Sequence, residues 1–346
     1  MDFRFEKDRV DENNLEEFLC AASPLMREVA SEIRLYAPLD FPILIEGASG
    51  TGKELVARAI HSLSGRASSP FFPINLVEGA ETLFESTLFG HRKGAFTGAE
   101  QGRIGCIEMA KDGTIFMDEV NSLPKFLQPK LLRVLEEKVY WPVGSMVPSI
   151  TKARFVFASN QKLMNMLKDG SFRDDVMYRL GRIIRLPLLR DRLEDMQCLS
   201  TRLVAESSRN IIEALSRSKP NELVMDPILD GPPRLSEDAL IKLRSHSWPG
   251  NIRELKVVME RAVLVCKNKV ILPKDIEFDY PTDNGVEEYH VALENFNEKY
   301  FSRVASVAGE NIRLGIKLTG LSETSYRRKL RKYRYKKRKG MDEGRH

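Results

Sequence analysis

Cysteine is scarce in this sequence, and its spacing suggests no pairing. Four cysteines occur among 346 residues, and none forms a C-x-x-C pair: Cys20, Cys106, Cys198 and Cys266. A structural metal site or a disulfide framework is therefore not expected. We predict reduced thiols, as in a cytoplasmic protein.

Long apolar runs are missing as well. No stretch approaches the roughly 20 apolar residues that a membrane helix needs, and the mixed, acidic start of the chain lacks the basic-then-apolar order of an export signal. We therefore predict no membrane association. With 42% hydrophobic and 30% charged residues, the composition is that of a globular chain long enough for two or three domains.

Positive charge is concentrated near the carboxyl end. Residues 327–339 carry ten Lys or Arg and no acid, whereas the whole chain has a net charge of +5, so the remainder is at about −5. This asymmetry favours a polyanion partner for the basic segment. A solvated tail without a partner is the alternative.

Strand and helix signals alternate over the first half of the chain. Short apolar runs are separated by helical patterns, which predicts an α/β fold with a parallel sheet covered by helices. After about residue 191 the pattern becomes helical, with Asp195–Leu215 and Ser236–Cys266 as the long segments. We expect four parts: residues 1–22 as a short leading segment, 23–191 as the α/β part, 192–278 as a helical part and 279–346 as a linker with a terminal helical domain.

A glycine-rich run follows the first predicted strand and opens a helix. It fits the phosphate-loop pattern G-x-x-x-x-G-K and consists of Gly47, Ala48, Ser49, Gly50, Thr51, Gly52, Lys53 and Glu54. Its backbone N–H groups and the helix start would hold phosphates, and Lys53 would neutralise the outer ones. Glu54 replaces the usual Mg²⁺-binding hydroxyl residue, so Thr51 or water must help hold the metal. This predicts a site for ATP and Mg²⁺.

A second acidic signal stands at the end of the apolar run Gly113–Met117. Asp118 and Glu119 would lie at the carboxyl end of a strand, where α/β sheets bind ligands. There Asp118 can orient hydrated Mg²⁺, and Glu119 can polarise an attacking water. A solvated strand end is the alternative for an isolated Asp-Glu pair.

The hexapeptide G-A-F-T-G-A connects these signals to a family. It comprises Gly94, Ala95, Phe96, Thr97, Gly98 and Ala99, and it resembles the signature of the bacterial sigma-54-dependent activators, enhancer-binding proteins of the AAA+ ATPase superfamily. Leu127–Leu135, Phe172–Asp175 and Trp248–Leu255 also resemble family motifs, in family order. An ordinary glycine-rich turn with Phe96 folded inward is the alternative; the resemblance implies contact with sigma-54.

The resemblance also implies roles for individual residues. Asp118 and Glu119 resemble the Walker B pair. Asn75 resembles the asparagine that couples the catalytic glutamate to nucleotide state, although Leu76-Val77 departs from the family's usual sequence. Asn160 resembles the sensor I residue, and Arg253 resembles the sensor II arginine. Arg173 and Arg179 resemble arginine fingers that reach a neighbouring subunit. Surface pairing with Asp174 or Asp175 is the alternative for the two fingers.

The carboxyl-terminal region predicts two short helices around a glycine turn, with a basic second helix. This spacing fits a helix-turn-helix and resembles the Fis-like domain of the family, with Gly315-Ile316 in place of a usual alanine pair. DNA contact is expected from the capping serine and the helix start: Ser322, Glu323, Thr324, Ser325, Tyr326, Arg327, Arg328 and Lys329. A basic helix without sequence preference is the alternative.

The implied assembly is a ring-shaped homo-oligomer, most simply a hexamer, because arginine fingers act across head-to-tail interfaces. Its implied partners are the sigma-54 RNA polymerase holoenzyme and upstream enhancer DNA. Since about 22 residues precede the resemblance, we expect the group of activators without an amino-terminal regulatory domain, controlled by a separate protein or by expression. Two other readings stay open: a small-molecule phosphotransferase and a DNA-binding regulator with an inactive ATPase.

Overall fold

The structure is a computed structural model, and it describes residues 10–75, 81–218, 231–266, 269–278, 301, 304, 308, 311–319 and 321–328. The chain divides into two compact units, residues 1–280 and 281–346. Among the residues described, no helix is long and apolar enough to span a bilayer. Residues 219–230 of the predicted helical part, residues 279–300 and Lys329 with the tail behind it lie outside the described residues.

The first unit begins with helices and strands in alternation. Its elements up to the third strand are α1 Leu15–Leu19, α2 Pro24–Tyr36, β1 Ile43–Glu46, α3 Lys53–Ser62, β2 Phe71–Asn75, α4 Glu81–Phe89, α5 Cys106–Met109 and β3 Thr114–Asp118. The helix α2 starts as its sequence indicates, because Ser23 accepts a hydrogen bond from the Met26 amide and Pro24 occupies the first helical position.

The remaining elements of this unit complete the sheet and add a helical part. They are α6 Gln128–Glu137, β4 Val139–Tyr140, β5 Ser149–Ile150, β6 Arg154–Ser159, α7 Leu163–Lys168, α8 Asp174–Arg179, β7 Arg182–Arg185, α9 Met196–Ser218, β8 Arg234–Leu235, α10 Glu237–Arg244, α11 Asn251–Val265 and β9 Val270–Ile271. Short 3₁₀ turns lie at Val120–Ser122, Leu189–Asp191, Leu193–Asp195 and Pro273–Asp275.

Five strands form one parallel sheet in the order β2-β3-β6-β1-β7. The central strands β1, β3 and β6 are buried along almost their whole length, as expected of a sheet with helices on both faces. Because all five strands run the same way, their carboxyl ends meet at one edge. The predicted α/β class is confirmed.

Separate apolar clusters lie on the two faces of the sheet and in the helical part. One face packs β3 and β6 residues such as Ile115 and Phe155 against α6. The other packs Ile43 and Ile45 of β1 against α2 and α3. In the helical part, Trp248 and Met259 pack with residues of α9.

The second unit is described in part. Phe301, Val304 and Tyr326 form its small core, with Ile312 and Ile316 packed against them. The helix α12 spans Ile312–Thr319, and residues 323–328 are helical. Ser322 caps this second helix, because its Oγ accepts a hydrogen bond from the Ser325 amide at 3.4 Å.

The structure departs from the sequence-based expectations in several places. The edge strand β7 and the pairs β4-β5 and β8-β9 were not predicted, and the segment predicted as helical, Ser236–Cys266, is divided into α10 and α11. Trp248, at φ 51°, stands in the left-handed region between them. Short strands of two to four residues carry too little periodic pattern to be recognised.

The prediction of reduced thiols is wrong for two of the four cysteines. Cys20 and Cys198 form a disulfide across 178 residues, with Cα atoms 5.6 Å apart. Cys106 and Cys266 are free and buried. Sequence spacing could not indicate this bond, because it depends on how α1 packs beside α9 in the folded chain.

Candidate functional site

The phosphate loop lies between β1 and α3, at the carboxyl edge of the sheet. The Gly47 amide donates to the Ser159 carbonyl of the neighbouring strand β6 at 3.1 Å. Gly50 and Gly52 have φ values of 77° and 103°, which side chains with a Cβ rarely adopt. The Thr51 hydroxyl is buried and donates to the Ala48 carbonyl at 2.8 Å. The loop thus has the conformation that the glycine pattern predicts.

Lys53 turns back over this loop. Its Nζ donates to the Gly47 and Ala48 carbonyls at 2.8 and 3.1 Å, and the residue is 8% exposed. Burial lowers the pKa of its ammonium, while the nearby carboxylates of Asp118 and Glu119 raise it. A partly desolvated cation held only by carbonyl oxygens is well suited to exchange them for phosphate oxygens. Glu54, the next residue, pairs instead with Arg58 at 2.7 Å.

The acidic pair ends β3, the strand two places from β1. The Glu119 amide donates to the Asp118 carboxylate at 2.9 Å. Glu119 itself has φ 56° and ψ 45°, an uncommon conformation for a residue other than glycine and one that clusters at functional sites. The parallel strands β1 and β3 flank β6, so the phosphate loop after β1 and the acidic pair after β3 lie at the same carboxyl edge of the sheet.

Two asparagines border this acidic pair. Asn160 donates from Nδ2 to a Glu119 carboxylate oxygen at 3.4 Å, and its Oδ1 is buried with no hydrogen-bond partner among the described residues. Asn75 ends β2 directly beside Asp118 in the sheet register. Both predicted asparagines therefore lie at the same edge as the carboxylates.

Asn121 also supports this edge, and the sequence did not indicate it. Its Oδ1 accepts hydrogen bonds from the Ser159 hydroxyl at 3.1 Å and the Asn160 amide at 3.4 Å. The side chain thereby ties the turn after Glu119 to the end of β6. It lies two residues beyond the Asp-Glu pair, and only the fold brings it to β6.

The helical part closes over the phosphate loop through the start of α11. Arg253 donates to the Ser49 hydroxyl at 2.6 Å, and the Ile252 amide donates to the Gly50 carbonyl at 2.9 Å. A Cβ on Gly50 would lie 2.4 Å from the Gly250 carbonyl. Glycine is therefore required where the two segments touch.

Two further side chains on the phosphate loop were missed by sequence reasoning. Asn251 donates to the Ser49 carbonyl at 3.1 Å and accepts from the Leu189 amide at 2.9 Å. Arg192 is 2% exposed and donates to the Thr51 carbonyl at 2.7 Å; burial lowers its pKa to about 10. Asn251 lies inside the motif Trp248–Leu255 that contains Arg253, so the sequence could have indicated its role. The sequence around Arg192 did not indicate a contact with the phosphate loop.

The two candidate fingers lie on or beside α8 and are exposed. Arg173 pairs with Asp175 at 2.7 Å, and Arg179 pairs with Glu136 at 2.8 Å. About half of each arginine side chain is accessible to solvent. Exposed ion pairs of this kind contribute little, so both guanidinium groups are available to another partner.

The hexapeptide forms a loop closed by its own backbone. The Gly94 amide donates to the Ala99 carbonyl at 2.8 Å, and the Ala99 amide donates to the Phe96 carbonyl at 3.0 Å. Phe96 is half-buried and packs edge-on against His91, whereas Thr97 is exposed at the tip. The Phe96 ring is therefore partly folded inward, as the alternative of an ordinary turn expects, whereas Thr97 is open to contact.

In the second unit, most of the predicted DNA-contacting residues are accessible. Ser322, Glu323, Thr324, Arg327 and Arg328 are exposed, and Ser325 is half-buried.

Tyr326 is an exception, because it is 1% exposed. Its hydroxyl lies 2.1 Å from where a Cβ on Gly315 would stand. Its side chain therefore belongs to the core, and its assignment to a DNA-facing surface is corrected.

The comparisons with known proteins agree with this geometry. A family model described as the Sigma-54 interaction domain matches residues 19–185, and one described as the AAA+ ATPase lid domain matches residues 228–291. The parallel sheet, the phosphate loop and the helical lid define an AAA+ fold. The chain belongs to the family of sigma-54-dependent transcriptional regulators.

Two curated relatives and one solved structure illustrate the similarity. The regulatory protein AtoC of Escherichia coli (strain K12) is 40% identical over 259 residues, 73% of this chain and 52% of AtoC. The regulator SfnR of Pseudomonas fluorescens (strain Pf0-1) is 37% identical over 298 residues, 84% of this chain and 77% of SfnR. This chain thus spans about half the length of AtoC.

The solved structure is that of NtrX from Brucella abortus in complex with ATP. It has a TM-score of 0.60 at 28% identity, and the match covers 90% of this chain and 68% of NtrX.

The residues at the carboxyl edge fit a magnesium nucleotide. Among the residues described, no three His, Cys, Asp or Glu side chains form a cage that could bind a metal by itself. Mg²⁺ in phosphate sites usually takes one or two carboxylates, and water and phosphate oxygens supply the rest. Asp118 and the Thr51 hydroxyl are the groups that would hold it here, beside the buried and unpartnered Asn160 Oδ1.

Proposed function

We propose that this protein hydrolyses ATP and uses the energy to activate transcription by sigma-54 RNA polymerase. The observation that supports the proposal is that the strand ends after β1, β3 and β6 bring Lys53, Asp118, Glu119 and Asn160 to one edge of the sheet. Lys53 would bind the phosphates and Asp118 the metal, while Glu119 and Asn160 would hold the attacking water. Phosphoryl transfer to water requires groups in these roles.

The attacking water would lie between Glu119 and Asn160. The Glu119 carboxylate accepts a proton from it, and the free Oδ1 of Asn160 accepts its second hydrogen bond. Asn121 keeps Asn160 in this place by binding its backbone amide. Mg²⁺, when bound, neutralises charge on the transferring phosphoryl group.

The site is completed by a neighbouring copy of the chain. Within the described part of the chain, Arg173 and Arg179 each pair with one exposed carboxylate, which a phosphate of higher charge can replace. An arginine supplied in trans increases turnover about 10³- to 10⁵-fold. This requirement for a head-to-tail interface supports a closed ring, and the family resemblance implies a hexamer or a heptamer.

The loop of residues 94–99 is the proposed output of ATP turnover. Its exposed tip at Thr97 and its half-buried Phe96 form a small surface for sigma-54. The second unit, with exposed Arg327 and Arg328, would hold the protein at upstream DNA through phosphate contacts that weaken with salt. A separate protein is the proposed regulator. The proposed site of action is the bacterial cytoplasm.

A separation-of-function variant tests the link between the two ends. Thr97→Ala removes the exposed hydroxyl at the loop tip, far along the chain from the phosphate loop. We expect ATP turnover within about twofold of wild type and a loss of transcription from a sigma-54 promoter by about tenfold or more. Thr201→Ala, an exposed threonine of α9, is the matched control. Unchanged transcription with Thr97→Ala would refute the role of the loop.

A further inference from the structure

His91 lies at the foot of the loop 94–99, and its ring is fixed at both nitrogens. Nδ1 is 2.6 Å from the Ser86 hydroxyl, and Nε2 is 2.9 Å from the Gln101 carbonyl oxygen. A carbonyl oxygen only accepts, so Nε2 carries the proton and the Ser86 hydroxyl donates to Nδ1. Ser86 is itself 2% exposed, so the imidazole is held from a buried position.

The backbone of His91 is fixed as firmly as its ring. Its amide donates to the Arg103 carbonyl and its carbonyl accepts from the Arg103 amide, both at 2.9 Å. The preceding Gly90 carbonyl accepts from the Val143 amide at 2.9 Å. The imidazole is therefore a rigid surface at the stem of the loop.

The loop above this surface is closed by its own Gly94–Ala99 and Ala99–Phe96 backbone hydrogen bonds, and its two glycines are not packed against a neighbour. A Cβ added to Gly94 or Gly98 would meet nothing within 4 Å. Glycine is therefore needed here for the positive φ values of 79° and 100° rather than for close packing. Phe96 sits between them, and its ring meets the His91 ring at a centroid distance of 5.0 Å and an angle of 60°. This edge-to-face geometry is a favourable one for aromatic pairs.

We propose that the His91 imidazole, here called the seat, holds the Phe96 ring half-buried against it. His91 is thus a positioning residue that controls when the Phe96 ring becomes exposed. With Phe96 seated, the loop presents Thr97 and keeps the phenyl ring half-buried. Leaving the seat breaks the ring contact with His91 and no backbone pair of the stem, so Phe96 can be exposed while residues 90–92 stay in place. The inference rests on the proposed function for its biological meaning, because the released ring is a contact for sigma-54.

Amide hydrogen exchange of the full-length, nucleotide-free chain tests the seat without sigma-54. His91→Gln removes the ring but keeps an amide donor for the Gln101 carbonyl. An aromatic pair shifts an opening equilibrium by about two- to tenfold, so the Gly94 and Ala99 amides should exchange faster by that factor. Arg92→Gln, the exposed neighbour in the same stem, should leave both rates unchanged.

A double-mutant comparison shows whether His91 acts through Phe96. Phe96→Leu alone should speed exchange about as much as His91→Gln, and the double variant should be no faster than Phe96→Leu. If His91→Gln reduces the overall stability, Ser86→Ala, which frees the ring at Nδ1 only, should still raise the Ala99 rate. Exchange that is unchanged in His91→Gln, or additive effects in the double variant, would overturn the proposal.

Capture of purified sigma-54 by the same variants separates this inference from the proposed function. Both hold if His91→Gln raises loop exchange and nucleotide-free capture together, by about two- to tenfold. Faster exchange without a gain in capture supports the seat and contradicts the sigma-54 contact of Phe96. If Thr97→Ala loses transcription as expected but His91→Gln leaves loop exchange unchanged, the role of His91 is contradicted and the proposed function is not.

Discussion

Arg253 donates a hydrogen bond from Nη1 to the Ser49 hydroxyl at 2.6 Å, across 204 residues of sequence. It joins the first turn of the lid helix α11 to the centre of the phosphate loop. The Ile252 amide and the Asn251 side chain bind the same loop. The lid is thus fastened to the loop, and we expect a phosphate bound in the loop to replace Ser49 as the partner of Arg253.

This exchange predicts different effects on ATP affinity for the two partners. Arg253→Ala removes a charged donor to phosphate, worth about 1.5–3 kcal/mol, so ATP affinity should fall about ten- to a hundredfold. Ser49→Ala frees Arg253, and affinity should be equal to or higher than that of wild type. Titration with a fluorescent ATP analogue measures both.

Arg244→Ala is the matched control for this pair of variants, since Arg244 is exposed at the end of the lid helix α10. Its affinity should equal that of wild type. Wild-type affinity in Arg253→Ala would show that the lid arginine does not contact the nucleotide.

Asn160 should affect the chemical step more than binding. Asn160→Ala removes the amide beside Glu119 and the free oxygen proposed for the water, and loss of one such group costs about 10² in kcat. Its KM for ATP should stay within about threefold, because the phosphates are held by the loop. Steady-state kinetics provide the measurement, with Asn165→Ala on the exposed face of α7 as control. A rise in KM at constant kcat would contradict this role.

Gly315 should be essential for the second unit. The Tyr326 hydroxyl occupies the space in which a Cβ would lie, at 2.1 Å, so Gly315→Ala forces the two helices apart. We expect Gly315→Ala to weaken DNA binding in a mobility shift, while ATP turnover of the first unit persists. Tyr326→Phe removes only the hydroxyl and should relieve the clash in part. Unchanged DNA binding by Gly315→Ala would contradict this packing.

The disulfide between Cys20 and Cys198 predicts a stability that depends on reductant. It closes a loop of 178 residues, and native disulfides contribute about 2–5 kcal/mol. Oxidised wild type should therefore have a higher Tm than Cys198→Ser, and dithiothreitol should lower only the wild-type value. The same Tm for both proteins without reductant would show that the bond does not form in solution.

Local sequence was sufficient for the parts of the site that lie on single turns. Gly47–Lys53 and Asp118-Glu119 were predicted as strand ends, and their strands, β1 and β3, are where the alternation of apolar runs indicated. Backbone amides and adjacent carboxylates depend on few neighbours, so a short pattern is enough to identify them.

Contacts between distant segments could not be predicted in the same way. Arg192, Asn121 and the disulfide depend on which strand ends and helices meet, and their sequence surroundings are ordinary. Tyr326 is instructive: it lies at a helix start that looked exposed, but a glycine one helix earlier admits its ring into the core. An amphipathic period indicates one face of a helix and does not identify what that face packs against.

ATP turnover by wild type and Glu119→Gln tests the central claim most directly. The full-length chain with Mg²⁺ should hydrolyse ATP, and Glu119→Gln should lower kcat by about 10²- to 10⁴-fold while ATP still binds. Glu108→Gln, an exposed carboxylate of α5, should turn over like wild type. A wild-type chain that binds ATP without hydrolysing it, or a Glu119→Gln variant of equal kcat, would contradict the account.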